Sequence, residues 1–115
     1  MCTGMLIKES LLDENILDLV EIKNVAIWVT NHNPKYWTAV SFVSNCMEFP
    51  EKLSKALRED LQIQWYVDFK TDSTKYIVLK DLVLKYEIGN SIKKESVIKK
   101  CIELGLPVEQ LDWSE

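Results

Sequence analysis

Residues 22–43, IKNVAIWVTNHNPKYWTAVSFV, hold two alternating apolar runs on either side of a turn. In the first run Val25, Ile27 and Val29 fall on one side and Ala26, Trp28 and Thr30 on the other. In the second, Tyr36, Thr38, Val40 and Phe42 oppose Trp37, Ala39, Ser41 and Val43. A period of two belongs to β-strands, whose successive side chains point to opposite faces. Between the runs, Asn31-His32-Asn33-Pro34 supplies turn chemistry, because Asn tolerates left-handed backbone angles and the residue before Pro stays extended. The stretch therefore reads as a β-hairpin, which makes an antiparallel sheet the starting point for the rest of the chain.

Upstream, Leu12, Ile16 and Leu19 recur at helical spacing after Ser10, an N-cap candidate with Asp13 three residues on, so a short acidic helix is expected over residues 10–19. Downstream, Pro50 and Glu51 open a second helix running to Leu61, with Leu53, Ala56, Leu57 and Leu61 as its apolar stripe. From Gln62 the period returns to two, with Ile63, Trp65, Val67 and Phe69 inward. Tyr76–Leu79 and Leu82–Ile88 continue as strands around the tight turn Lys80-Asp81. Residues 93–104 read as a helix with Val97, Ile98, Cys101 and Ile102 inward, closed by Gly105 as a left-handed C-cap, Leu106 folding back and Pro107 barring continuation. The order α-β-β-α-β-β-β-α gives an α+β fold in one globular domain over residues 1–115, an antiparallel sheet of four or five strands with helices packed on one face.

Composition excludes several functions. Fourteen Lys plus Arg against eighteen Asp plus Glu give a net charge of −4, and Arg58 is the sole arginine, the wrong inventory for gripping nucleic acid. Both ends are acidic, whereas Lys85, Lys93, Lys94, Lys99 and Lys100 form a local excess that reads as a solvated face. Cys2, Cys46 and Cys101 are an odd set without C-x-x-C spacing, so reduced thiols and no metal are expected. No signal sequence or apolar run of membrane-spanning length is present, which points to the cytoplasm.

Catalytic groups are scarce. The one histidine, His32, lies in the hairpin turn with no orienting partner visible in the sequence. Cys101 sits on an apolar helix stripe, which leaves Cys46 as the better thiol candidate, and Asp68, Asp72 and Asp81 are isolated strand-edge acids. Gly89-Asn90-Ser91 reads as a strand-to-helix turn in preference to a phosphate cradle, and no cofactor is expected. The aromatics are richer: if Val25, Ile27 and Val29 face the helices, Trp28 lies on the uncovered side, and with Tyr36 or Trp37 it forms a docking surface. The competing reading places these rings in a second small core beneath the terminal segments. His32 in the turn and the C-terminal Asp112 and Trp113 complete the candidate contact set.

The segments Trp65–Lys70, Tyr76–Tyr86 and Gly105–Trp113 resemble a group of small bacterial proteins with no assigned activity. That resemblance implies a bacterial source and transfers no catalytic position. Small size, acidic charge and aromatics without reactive groups together suggest a non-enzymatic protein that masks a protein partner, its acidic surface suited to a basic one, in the manner of immunity or inhibitor proteins. The alternative is a structural or adaptor subunit that forms a homodimer through its sheet. A small Cys- or His-dependent enzyme ranks third.

Overall fold

The computed structural model describes residues 1–60, 62–111 and 113. The class is α+β, built on one antiparallel sheet. Six strands form it: β1 (Cys2–Ile7), β2 (Glu21–Val29), β3 (Tyr36–Ser44), β4 (Tyr66–Lys70), β5 (Thr74–Leu79) and β6 (Leu82–Glu87), in the spatial order β2-β3-β1-β4-β5-β6. Two helices accompany them, α1 (Phe49–Ala56) and α2 (Ser91–Glu103), with 3-10 turns at Lys8–Ser10, Glu14–Leu19 and Val108–Gln110.

The strand count corrects the expected four or five, and the added element is β1. It lies at the centre of the sheet, with Leu6 opposite Val40 and Gly4 opposite both Phe42 and Phe69. A Cβ on Gly4 would stand 2.5 Å from the Phe69 Cβ, so glycine is what lets β1 approach β4 this closely. Above it Phe42, Phe49 and Phe69 pack with ring centroids 5.3–6.1 Å apart in tilted and edge-on geometry. Each such pair contributes about 0.5–1.5 kcal/mol beyond its buried area.

The two predicted N-terminal and central helices are shorter than their patterns suggested. Over residues 10–19 the chain forms 3-10 turns, and Asp13, not Ser10, caps the longer one by accepting from the Asn15 amide at 3.0 Å. Asn and Asp side chains compete for backbone groups in this way and disfavour a regular helix. Helix α1 stops at Ala56 because Leu57 turns extended to bridge Leu11, and the Arg58 amide donates to the Ser10 carbonyl at 2.8 Å. The stripe position expected at Leu61 lies outside the described residues. Helix α2 has the expected ends, with the Asn90 side chain accepting from the Lys93 amide, Gly105 at φ 93° and the Leu106 amide returning to the Cys101 carbonyl, but Ile102, expected inward, is exposed.

The expectation of helices on one face is also corrected, since α1 and α2 lie on opposite faces. Val67, Phe69, Tyr76, Val78 and Val83 turn toward α1 and the 3-10 segment, joining Leu6, Val40 and Phe42 in a first core. Tyr66, Ile77, Leu79, Leu84 and Tyr86 turn the other way and form a second core with Val97, Cys101, Leu106, Leu111 and Trp113. The cause is written in β5, where Tyr76-Ile77-Val78-Leu79 is apolar at every position, as a strand covered on both faces must be.

Candidate protein-interaction surface

An α-helix about 10 Å across covers two or three strands spaced about 4.8 Å apart, so one helix per face cannot cover six. The uncovered strand is β2, at one end of the sheet, exposed at eight of its nine residues. Val25, Ile27 and Val29 were expected to meet the helices. They do share the α1 face, opposite Val40, Thr38 and Tyr36, but they lie beyond the helix and are 53–67% exposed. Trp28 and Ala26 take the other face, opposite Trp37 and Ala39. Trp28, at 44% exposure, and Tyr36, at 57%, are open to solvent but on opposite faces, so of the expected pairings only Trp28 with Trp37 shares a face.

The hydrogen-bond phase of β2 follows from its end. The Thr30 amide donates to the Lys35 carbonyl at 2.7 Å, marking these two as a hydrogen-bonded pair. Such pairs alternate with non-bonded ones along an antiparallel ladder. Trp28 and Ala26 therefore direct their backbone groups toward β3, while Val25, Ile27 and Val29 direct theirs outward. Thr38 has the matching phase, since it stands opposite Ile27 and its amide turns away from β2 to donate to the Glu9 carboxylate at 2.7 Å. The Thr38 hydroxyl donates to the same carboxylate at 3.0 Å.

Edge strands are normally defended by charges, prolines, bulges or a covering element. Here the defences sit at the first three residues, where Glu21 and Lys23 pair at 2.7 Å and the ladder bulges between Ile22 and Asn24. Residues 24–29, NVAIWV, contain no charge, glycine or proline. Three outward-directed backbone pairs and a row of branched apolar side chains are thus presented together.

At the turn end of the hairpin, His32 stacks on Trp37 with centroids 5.2 Å apart, and Trp37 packs against Trp65 at 4.9 Å. Both indole N–H groups are buried and meet no acceptor among the described residues. A cavity of about 160 Å³ opens beside this stack, lined by residues 32, 37, 62–66, 105, 107 and 110. Among the described residues that line it there is no cysteine or acid, and the cavity sets His32 beside indole and amide groups.

The remaining candidates fall elsewhere. Trp113 is buried in the second core, where its indole N–H donates to the Tyr86 hydroxyl at 2.8 Å. Asp112 lies outside the described residues. Cys46 is half-buried, and burial pushes the Cys2 and Cys101 thiols up, away from the nucleophilic thiolate form. Asp68 accepts from the buried Lys75 ammonium at 2.9 Å. A hydrogen bond from Lys55 at 3.0 Å holds the Asp81 carboxyl below its ordinary range. Among the described residues no three His, Cys, Asp or Glu side chains gather as a metal site, and no helix is long and apolar enough to cross a membrane.

What the sequence does not reveal at this surface is that Val25, Ile27 and Val29, on the helix-bearing face, lie beyond the helix and stand exposed. The signal available was the uncharged run 24–29 itself, apolar on one face and bearing Trp28 on the other. Comparison with protein families, with curated proteins and with solved structures finds no match to this chain.

Proposed function

We propose that this chain acts by non-covalent protein binding, without catalysis, through the outer edge of β2 and the hairpin that carries it. The observation that carries the reading is the undefended edge, where outward backbone groups and exposed apolar side chains coincide at Val25, Ile27 and Val29. An extended segment laid along such an edge gains main-chain hydrogen bonds for affinity and side-chain contacts on both faces for selectivity. Masking a partner by adding a strand, in the manner of an immunity or inhibitor protein, is the form of binding this edge favours. The burial of the Cys2 and Cys101 thiols and the stacking of the single histidine, His32, on Trp37 support a role without bond-making.

The hairpin also says something about the partner's charge. Residues 21–44 hold one acid, Glu21, against Lys23 and Lys35, so the excess of acids lies elsewhere on the molecule. The contact is therefore apolar in character, and a strongly basic partner gains little from this edge. A photo-crosslinking residue placed at position 27, with the same residue at the exposed Ile92 of α2 as control, tests the reading in the native cell. Protein adducts from position 27 and none from position 92 are expected. Equal yields from both, or none from position 27, contradict it.

A further inference from the structure

The same edge is self-complementary, and we infer that its occupant is β2 of a second copy of this chain, paired antiparallel about a two-fold axis at Ile27. The inference rests on the reading that β2 is a binding edge and goes further by naming the partner. In an antiparallel pair about Ile27, each residue meets the one for which the two numbers sum to twice twenty-seven. Ile27 then meets Ile27 of the other copy, and Val25 meets Val29, all residues whose backbone groups point outward and whose side chains share the α1 face. On the opposite face Trp28 meets Ala26, a large ring over a small side chain, and Asn24 meets Thr30.

Charge supports this register. The seven paired positions, 24–30, carry no charge, and Glu21 and Lys23 lie outside them beyond the bulge, so no like charges face one another across the axis. Moving the axis to Ala26 would set Lys23 against Val29 and Trp28 against Asn24, breaking the apolar match. The closed two-fold also uses up the open edge of both copies and leaves β6, flanked by α2, at the two ends of a continuous sheet. Seven residues of paired strand bury less than the about 800 Å² per partner of a standard stable interface, so a reversible dimer with a dissociation constant in the micromolar range is expected.

Light scattering and sedimentation across concentrations test this on the full chain. A monomer–dimer equilibrium is expected, with Ile27→Lys raising the dissociation constant at least about tenfold by setting like charges on the axis. Ile27 is exposed, so the variant keeps the monomer fold, which circular dichroism checks. The register is read by oxidation: Val25→Cys mixed with Val29→Cys should cross-link, whereas Val25→Cys alone should not, its two copies lying about 13 Å apart. A chain that stays monomeric at millimolar concentration overturns the inference, as does a dimer indifferent to Ile27→Lys. Adducts from position 27 to a different protein would then retain the binding reading while removing the second copy, which separates the two failures.

Discussion

The two ends of the sheet are built differently. At the β4–β6 end, α1 with the 3-10 segment covers one face and α2 with the C-terminal turn covers the other, so Ile77 and Val78 of β5 are both fully buried although they point in opposite directions. At the β2 end there is one layer only, and equally apolar residues such as Ile27 and Val29 stand in water. The edges differ in the same sense, since β6 ends in Lys85 and Glu87 and is flanked by α2, while the last six residues of β2 carry no charge. The composition of the strands is similar at both ends. What separates them is coverage, and an apolar strand left uncovered at a sheet edge is a place for another chain.

That contrast can be broken by substitution. The largest effect is expected in the covered half: Phe69→Ala should destabilise the fold by about 3–5 kcal/mol, measured by urea unfolding, because it empties the centre of the Phe42–Phe49–Phe69 cluster. Gly4→Ala comes next, at about 2–3 kcal/mol, since its Cβ would collide with the Phe69 Cβ of the neighbouring strand. Ile27→Lys, an equally drastic change of chemistry, should alter the monomer's stability by no more than about 0.5 kcal/mol. A large loss at Ile27 would mean that β2 is covered in the monomer and the contrast is false.

A pH experiment sharpens the covered side. Burial, helped by the nearby Asp68 and then Cys101, pushes the Tyr66 hydroxyl up to about 12, and that hydroxyl donates to the Gln110 carbonyl at 3.1 Å. The folded state thus holds the proton more tightly than the unfolded chain. Its contribution is complete below the ordinary tyrosine value near 10 and is lost as pH rises from there through about 12. Because the ring is partly exposed, the loss should be about 1–2 kcal/mol. Tyr66→Phe should flatten this part of the stability profile.

How much of this was legible in the sequence depends on how local the deciding interactions are. The hairpin expected over residues 22–43 forms over 21–44, and the β5–β6 turn and the Gly105 cap are where their patterns put them, because each is fixed by neighbours a few residues away. Strand β1 was not legible, since six residues with glycine at the third position acquire their meaning only from Phe42 and Phe69, far along the chain. The truncation of α1 has the same origin, in the bridge from Leu57 to Leu11. Helices on both faces are readable from Tyr76–Leu79, where the alternation disappears, although such a run by itself indicates only a strand. At the surface, Trp28 and Tyr36 emerge exposed, and Val25, Ile27 and Val29 share the helix-bearing face, but whether a helix reaches them depends on strand order, which a period of two does not specify.

Amide hydrogen exchange along β2, followed from dilute to concentrated protein, tests the central claim most directly. In dilute solution Ala26 and Trp28, bonded to β3, should be protected and Val25, Ile27 and Val29 should exchange freely; on concentration these three should gain at least about tenfold protection while the exposed amides elsewhere do not. Protection that appears on another element, or an odd-numbered set that stays open at every concentration, would contradict the account.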